Sequence, residues 1–256
     1  MRAETVTDVR PLQDRVVLVT GGGRGIGAAI ALAAADAGAR VAIAARHEPV
    51  ETRARIEANG GEAFSVAGDV ADEEDAERMV EQTAAHFGTV DVLVNNAALL
   101  ETSPILDTDI ASFDRVMNAN VRGVFLMIRA AGRRMVDQRY GVIINIGSDL
   151  AVRGRADYAA YAASKGAVLQ LTRTAAIELG THGVRVVMLS PAVTNTELAR
   201  PALEDPQTRA ELLSKGTLQR INEPEDVAAA AVFLASSAAR TVTGCNWPID
   251  AGVLAR

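Results

Sequence analysis

Short, β-branched apolar runs alternate along this chain with longer alanine-rich stretches. Each run is mostly apolar, which is typical of a strand buried on both faces of a parallel sheet. The predicted strands are residues 16–20, 41–45, 63–67, 90–94, 142–146, 184–189 and 245–249. The predicted helices are residues 26–37, 71–86, 110–136, 158–179 and 224–235. This alternation predicts an α/β fold, with a doubly wound, seven-stranded parallel sheet and helices on both faces.

Composition restricts the class of protein. The chain has 256 residues, enough for one large domain over 1–256, and no linker or internal repeat divides it. A net charge of −6 argues against a nucleic acid partner. No stretch approaches the roughly 20 apolar residues that cross a membrane, and the single Cys245 excludes an intramolecular disulfide. We therefore expect a soluble, cytoplasmic protein with a flexible tail over residues 1–12.

One segment departs from the alternation. Residues 191–219 contain Pro201 and Pro206, two charged clusters and no strand-like run. A stretch of this length inside a compact domain is usually functional. We expect residues 194–219 to form a substrate lid, and a pair of ordinary surface helices is the alternative.

A glycine-rich segment, Thr-Gly-Gly-Gly-Arg-Gly-Ile-Gly over residues 20–27, joins the first strand to the first helix. Glycines let backbone N–H groups approach a pyrophosphate, which the positive end of a helix also attracts. The alternative is a turn with a purely structural role, because the glycine spacing differs from the common dinucleotide fingerprint. The predicted cofactor-binding residues of this loop are Gly21, Gly23, Arg24, Gly25, Ile26 and Gly27.

A tyrosine and a lysine four residues apart, Tyr161 and Lys165, share one face of a predicted helix. An ammonium group beside a phenol favours the phenolate, so we expect a lowered pKa for Tyr161 and proton transfer near neutral pH. Ser148 follows the fifth strand, at the sheet edge where α/β proteins bind ligands. Its hydroxyl can hold a substrate carbonyl oxygen, although a simple turn residue is the alternative.

Together these features resemble the short-chain dehydrogenase/reductase family, over residues from about 13 to 253. The resemblance implies a single Rossmann-type domain and a catalytic tetrad of Asn120, Ser148, Tyr161 and Lys165. Ser148 would orient a carbonyl group, and Tyr161 would act as general acid or base. Lys165 would lower the pKa of Tyr161 and hold the nicotinamide ribose. Asn120 would hold a water in a proton relay, although alone it also fits a helix-surface amide.

The resemblance covers three further loops. Asp69 is similar to the family's adenine-contacting acid, residues 95–97 resemble Asn-Asn-Ala-Gly, and residues 191–196 resemble Pro-Gly-x-x-x-Thr. Ala98 and Ala192 replace glycines of the family pattern, so each loop carries an extra methyl group. The further cofactor-binding residues that the resemblance implies are Asp69, Val70, Asn96, Ala97, Tyr161, Lys165, Pro191, Thr194 and Thr196.

The end of the second strand bears on the choice of dinucleotide. Sites for NAD usually carry an acidic residue there to bind the ribose 2′-hydroxyl, but this chain has Ala45 followed by Arg46. Arg46 and Arg24 can both reach a 2′-phosphate, and by resemblance such arginines favour NADP. Two solvated surface arginines are the alternative, and Glu48 could reach the ribose if the loop is shifted. NADP(H) is the expected cofactor, with NAD(H) second.

The favoured function is an NADP(H)-dependent oxidoreductase that interconverts a ketone and a secondary alcohol. Tyr158 forms Tyr-x6-Lys with Lys165, which resembles the enoyl reductases of the same superfamily. An enoyl reductase using Tyr158 is therefore the alternative within enzymes. A catalytically silent dinucleotide-sensing protein is the alternative outside them. By resemblance we also expect a homotetramer with an interface on the helices around Asn120 and Tyr161.

Other polar residues give weaker signals. His47, His86 and His182 lack metal-ligand spacing, so no metal site is predicted. Asp149 follows Ser148 and either disfavours anionic substrates or caps the next turn. Substrate specificity is expected in residues 101–106, 149–158 and 194–219. A small-molecule ketone or alcohol is the expected partner.

Overall fold

The computed structural model describes residues 10–255. Seven strands in this range form one sheet in the order β3-β2-β1-β4-β5-β6-β7, and every neighbouring pair is parallel. The strands are β1 Val16–Thr20, β2 Arg40–Ala45, β3 Ala63–Ala67, β4 Val92–Asn95, β5 Gly141–Ile146, β6 Val184–Pro191 and β7 Asn246–Ile249. The predicted fold class, a doubly wound Rossmann-type fold, is confirmed.

Helices connect consecutive strands on both faces of the sheet. They are α1 Gly25–Asp36, α2 Val50–Ala58, α3 Glu73–Phe87, α4 Ile110–Met117, α5 Gly123–Gln138, α6 Ala159–Gly180, α7 Arg200–Glu204, α8 Pro206–Lys215 and α9 Pro224–Ala235. Helix α2 is not among the predicted helices. The helix predicted over 110–136 is divided, because a π-helical turn at Asn118–Arg122 separates α4 from α5.

Apolar side chains cover both faces of the sheet in two core layers. Leu18 and Ile143 belong to the layer beneath α3, α5 and α6, whereas Val17 and Ile144 belong to the layer beneath α1 and α9. Successive residues of one strand thus enter opposite layers, which explains why the strands read as nearly unbroken apolar runs. Each fully buried side chain of this size contributes about 1.5–3 kcal/mol.

The order of the strands positions the site. The chain moves outward from β1 through β2 to β3, then returns to the other side of β1 with β4. The connections that leave β1 and β4 therefore diverge to opposite sides of the sheet. A crevice opens between them at the carboxyl ends of the strands, where open α/β sheets bind ligands.

Residues 1–9 of the predicted tail lie outside the described residues. The end of that tail is ordered, so the prediction is wrong for Leu12. This side chain is only 1% exposed and packs in the layer beneath α1. Its N–H donates to the carbonyl of Ala37 over 3.0 Å.

Within residues 10–255, no helix is both long and apolar enough to cross a membrane.

Close packing of α1 against the sheet requires Gly27. A Cβ atom on Gly27 would lie 2.4 Å from both Asn96 Nδ2 and Gly21 O. We expect Gly27→Ala to lower the free energy of unfolding by about 1–3 kcal/mol because backbone must move. Gly180→Ala is the matched control, since nothing lies within 4 Å of a Cβ there. Denaturant unfolding compares the two variants, and equal stabilities would contradict this account.

Candidate active site

A cleft of about 1310 Å³ lies at the carboxyl edge of the sheet. It brings together the glycine-rich segment, the ends of β2 to β6, and residues of the predicted lid. Gly27 and Asn120 are the two predicted site residues that do not line it. The predicted residues that do are Gly21, Gly23, Arg24, Gly25, Ile26, Arg46, Asp69, Val70, Asn96, Ala97, Ser148, Tyr161, Lys165, Pro191, Thr194 and Thr196.

The glycine turn presents free backbone donors to this cleft. Gly21 has φ +65° and Gly25 φ +55°, a left-handed conformation that favours glycine. Among the described residues, nothing accepts the N–H groups of Arg24, Gly25 or Ile26. These donors stand at the positive end of α1, and a residue with a side chain at Gly25 would be strained. The turn therefore fits the pyrophosphate of a dinucleotide.

Asn96 and Thr20 hold the turn in place. The amide Nδ2 of Asn96 donates to the carbonyls of Thr20 and Gly21 over 3.0 and 3.1 Å. The hydroxyl oxygen of Thr20 accepts the N–H groups of Asn96 and Ala97 over 3.0 and 3.1 Å. The side-chain amide of Asn96 therefore donates its hydrogen bonds to the backbone of the turn. Gly27 acts similarly, by allowing this side chain to approach α1.

The other loops shape the walls of the cleft. Asp69 turns the chain after β3, because its carboxylate accepts the N–H of Ala71 over 2.9 Å. Val70 packs under Gly123, where a Cβ would lie 2.7 Å from Val70 Cγ2. Thr194 is buried, and its hydroxyl donates to the carbonyl of Ala192 over 3.0 Å.

Charged side chains surround the end of β2. Arg46 is exposed and forms no ion pair or hydrogen bond within residues 10–255. Arg24 reaches Glu197 of the predicted lid, with 3.4 Å between Nη1 and Oε2. Glu48 lies 3.9 Å from Arg53 of α2. Two arginines, Arg24 and Arg46, therefore flank the cleft here, and the carboxylate of Glu48 is oriented toward Arg53.

Tyr161 and Lys165 lie together on α6, opposite the end of β5. The Nζ atom of Lys165 donates to the carbonyl of Ile146 over 2.8 Å and lies 5.5 Å from the centre of the Tyr161 ring. Tyr158 precedes α6, and its ring centre lies 6.5 Å from that of Tyr161. Both tyrosines and the lysine line the cleft.

Burial dominates the proton affinities of this pair. It raises the pKa of Tyr161 to about 12, where the charge of Asp149 acts in the same direction and the Ser148 hydroxyl opposes it. Burial also lowers the pKa of Lys165 to about 8. A buried site disfavours the phenolate and the ammonium alike. The expectation of a lowered pKa for Tyr161 is therefore wrong for this structure.

Ser148 has two local roles. Its hydroxyl oxygen accepts the N–H of Leu150 over 3.2 Å, so Ser148, not Asp149, caps the following 3₁₀ turn. The same hydroxyl donates to Asp149 Oδ1 over 2.9 Å. Asp149 is in turn bound to Arg153. This ion pair between a buried carboxylate and a partly buried arginine was not predicted, and the four-residue spacing of Asp149 and Arg153 is its only sequence signal.

Asn120 is fully buried in the π-helical turn, so it is not a surface amide. Its Oδ1 accepts the N–H of Leu99 over 2.7 Å, and its Nδ2 donates to Leu99 O and Ser164 Oγ over 2.9 and 3.0 Å. The side chain therefore links the loop after β4 to α6. It does not reach the cleft, and the structure does not place it to hold a water there.

A second buried polar network was also missed. Asn95 Nδ2 donates to Asn145 Oδ1 over 2.9 Å, and Asn145 Nδ2 donates to Thr172 Oγ1 over 2.9 Å. The network connects β4, β5 and α6 through the core. Its signal in the sequence is Asn145, a polar residue inside an otherwise apolar strand.

Within residues 10–255, no group of three or more histidine, cysteine, aspartate or glutamate residues is arranged to hold a metal ion.

Comparison with known proteins agrees with this geometry. The family model described as enoyl-(acyl carrier protein) reductase matches residues 21–254. The L-rhamnose 1-dehydrogenase (NAD(P)(+)) of Azotobacter vinelandii is 37% identical over 94% of this chain and 97% of its own. The D-threitol dehydrogenase of Mycolicibacterium smegmatis is 38% identical, over 94% of this chain and 93% of its own.

Solved structures are similar over nearly the whole chain. A short-chain type dehydrogenase/reductase from Mycobacterium marinum has a TM-score of 0.93 and 35% identity, covering 98% of this chain and 100% of that one. A gluconate 5-dehydrogenase from Burkholderia cenocepacia, in complex with NADP and tartrate, has a TM-score of 0.93 and 32% identity. It covers 97% of this chain and 98% of its own. From its fold, its cleft and these relatives, this chain belongs to the short-chain dehydrogenase/reductase family.

Proposed function

We propose that this protein is an NADP(H)-dependent oxidoreductase that interconverts a ketone and a secondary alcohol. The observation that carries the proposal is the meeting of Ser148, Tyr161 and Lys165 in one cleft with the glycine turn. The named relatives support the reaction class, because they are NAD(P)-dependent or polyol dehydrogenases. Their own substrates are sugars and polyols, so polar hydroxylated compounds are the first to test.

The chain contributes proton transfer and orientation. When bound, the nicotinamide dinucleotide supplies hydride to a ketone or accepts it from an alcohol. Tyr161 donates its phenolic proton to the substrate oxygen in reduction and accepts a proton in oxidation. Ser148 lies beside Tyr161 and orients the substrate oxygen. Lys165 faces the Tyr161 ring, where it can hold the nicotinamide ribose by its ammonium donors.

The pKa of Tyr161 determines how each direction depends on pH. Because this pKa is raised to about 12, Tyr161 is a phenol at neutral pH. The phenol is the form that reduction requires, whereas oxidation requires the phenolate. Reduction is therefore supported near neutral pH, and alcohol oxidation becomes faster as the pH rises.

NADP(H) is favoured over NAD(H) by Arg24 and Arg46. Arg46 has no partner among the described residues, and the Arg24 pair with Glu197 is largely exposed, with side chains 80% and 61% accessible. Exposed pairs of this kind are weak, so a 2′-phosphate can compete for Arg24. Glu48, the acidic alternative for the ribose, lies beside Arg53.

Residues 194–219 are proposed as the substrate lid. They form α7 and α8, so the alternative of two surface helices describes their secondary structure. They nevertheless contribute Leu198, Ala202 and Leu212 to the cleft wall.

We also propose that the protein forms a homotetramer. Helices α5 and α6 expose the apolar side chains of Phe125 and Ile177, which are 50% and 78% accessible.

The enoyl reductase alternative has two observations in its favour. The matching family model carries that description, and Tyr158 lies in the cleft beside Tyr161. However, the Arg155 guanidinium stacks on the Tyr158 ring, 4.4 Å from its centre. Tyr158 precedes α6 as its non-helical N-cap, so of the two tyrosines only Tyr161 lies on the helix that carries Lys165. A silent sensor is disfavoured because a sensor needs no buried tyrosine and lysine beside the coenzyme.

Removal of each tyrosine hydroxyl distinguishes the two enzymes. We expect Tyr161→Phe to reduce kcat for ketones and alcohols by at least about 100-fold, since the general acid is lost. Tyr158→Phe should keep most of the activity. Absorbance of reduced nicotinamide, followed over a panel of polyols, aldoses and sugar acids, measures both. The reverse result, with turnover of an α,β-unsaturated substrate, would support the enoyl reductase.

Removal of the two arginines tests the choice of cofactor. We expect Arg46→Ala and Arg24→Ala each to weaken NADP(H) binding about 10–100-fold, because hydrogen bonds to a charged phosphate are lost. Binding of NAD(H) should change little. Arg55→Ala is the matched control, since Arg55 is an exposed arginine of α2 outside the cleft lining. Calorimetric titration measures the affinity of the wild type and each variant for both dinucleotides, and equal losses for both dinucleotides would contradict the proposal.

Lys165 is expected to lower stability while serving catalysis. Its pKa is about 8 in the folded chain against an ordinary 10.5, a difference of about 3 kcal/mol. Between these values the unfolded chain binds more protons, so wild-type stability should rise from about pH 8 to about pH 10. We expect Lys165→Met to lose that rise and the activity, yet unfold no more easily at neutral pH. Lys215→Met, at an exposed lysine, is the control, and thermal unfolding the measurement.

A further inference from the structure

Asp149 is a buried carboxylate that the roles above do not use. It is 5% exposed and lies in the cleft wall directly after Ser148. Its Oδ1 accepts the Ser148 hydroxyl over 2.9 Å. The other oxygen, Oδ2, accepts a hydrogen bond from the Nε–H of Arg153 over 2.8 Å and also contacts Nη2. Each carboxylate oxygen therefore has its own partner.

The pairing fixes the direction of the hydrogen bonds. An ion-paired carboxylate only accepts, and a serine hydroxyl has one proton. That proton points to Asp149, while the N–H of Leu150 donates to the same oxygen over 3.2 Å. Ser148 can donate to a phenolate or to a substrate oxygen only after it releases Asp149. The carboxylate thus controls how available this proton is.

The charges around Tyr161 are few. Asp149, on the turn after β5, is the carboxylate whose charge raises the pKa of Tyr161, and the neighbouring Tyr158 hydroxyl acts in the same direction. Lys165 on α6 faces the ring at 5.5 Å, and Arg155 lies over the neighbouring Tyr158 ring at 4.4 Å. Arg153 reaches the group only through its bond to Asp149.

We propose that Asp149 is a positioning residue that keeps Tyr161 protonated, by holding the proton of Ser148 and by its own charge, and that Arg153 limits this effect. The inference rests on the proposed function and adds which direction of the reaction is favoured at a given pH. At neutral pH the pair favours ketone reduction and holds back alcohol oxidation. Residue 149 thereby sets the pH at which oxidation begins.

Two substitutions should move the pH profile in opposite directions. Asp149→Asn removes the charge and leaves a neutral amide oxygen, which accepts the Ser148 proton more weakly than a carboxylate does, so the rise of alcohol oxidation should move to lower pH. Oxidation at neutral pH should increase by about tenfold for each pH unit moved. Arg153→Met leaves the carboxylate without its cation, so the profile should move to higher pH. The double variant should return toward the wild-type profile.

A second measurement needs no turnover. Absorbance of tyrosinate, titrated with and without Tyr161→Phe, gives the proton affinity of Tyr161 in the cofactor-free protein. The same opposite displacements should appear there. Displacement in one direction only, or lower stability without displacement, would overturn the role of Asp149. Displacement without any turnover of alcohols or ketones would instead overturn the proposed function.

Discussion

The parallel arrangement of the sheet is the constraint on which everything else depends. Because all strands run one way, their carboxyl ends meet at one edge, and residues far apart in the chain become neighbours. The reversal between β1 and β4 opens that edge. The glycine turn after β1 and Ser148 after β5 then face the same cleft. If β1 and β5 ran in opposite directions, these two loops would lie at opposite edges of the sheet.

Much of this arrangement could be predicted from the sequence. Unbroken apolar runs and the glycine segment are local signals, because a buried strand or a tight turn restricts its own residues. Helix α2 was missed, because the residue that precedes it, Pro49, has no side-chain group that could cap the helix and mark its start. The π-helical turn was missed as well, because residues 110–136 have an ordinary helical pattern and the irregularity arises where Asn120 bonds across to Leu99.

The electrostatics of the site could not be predicted in the same way. Spacing shows that Tyr161 and Lys165 share a face, but burial depends on the whole fold. Both groups lose water, so the pKa of Tyr161 rises and that of Lys165 falls. The Asp149–Arg153 pair likewise depends on a turn that the sequence leaves open. Local pattern identifies the residues, whereas their charge states follow from tertiary structure.

The bonds from Asn96 to the glycine turn have a consequence for affinity. The amide clamps two carbonyls of the loop, and Gly27 lets it sit against α1. The loop is therefore rigid before any ligand arrives, and its conformational entropy is lost during folding. A dinucleotide meets donors that are already aligned, so its phosphates need not order the backbone. The affinity of this part of the cleft for a dinucleotide therefore depends on the free energy of folding, which has already ordered the loop.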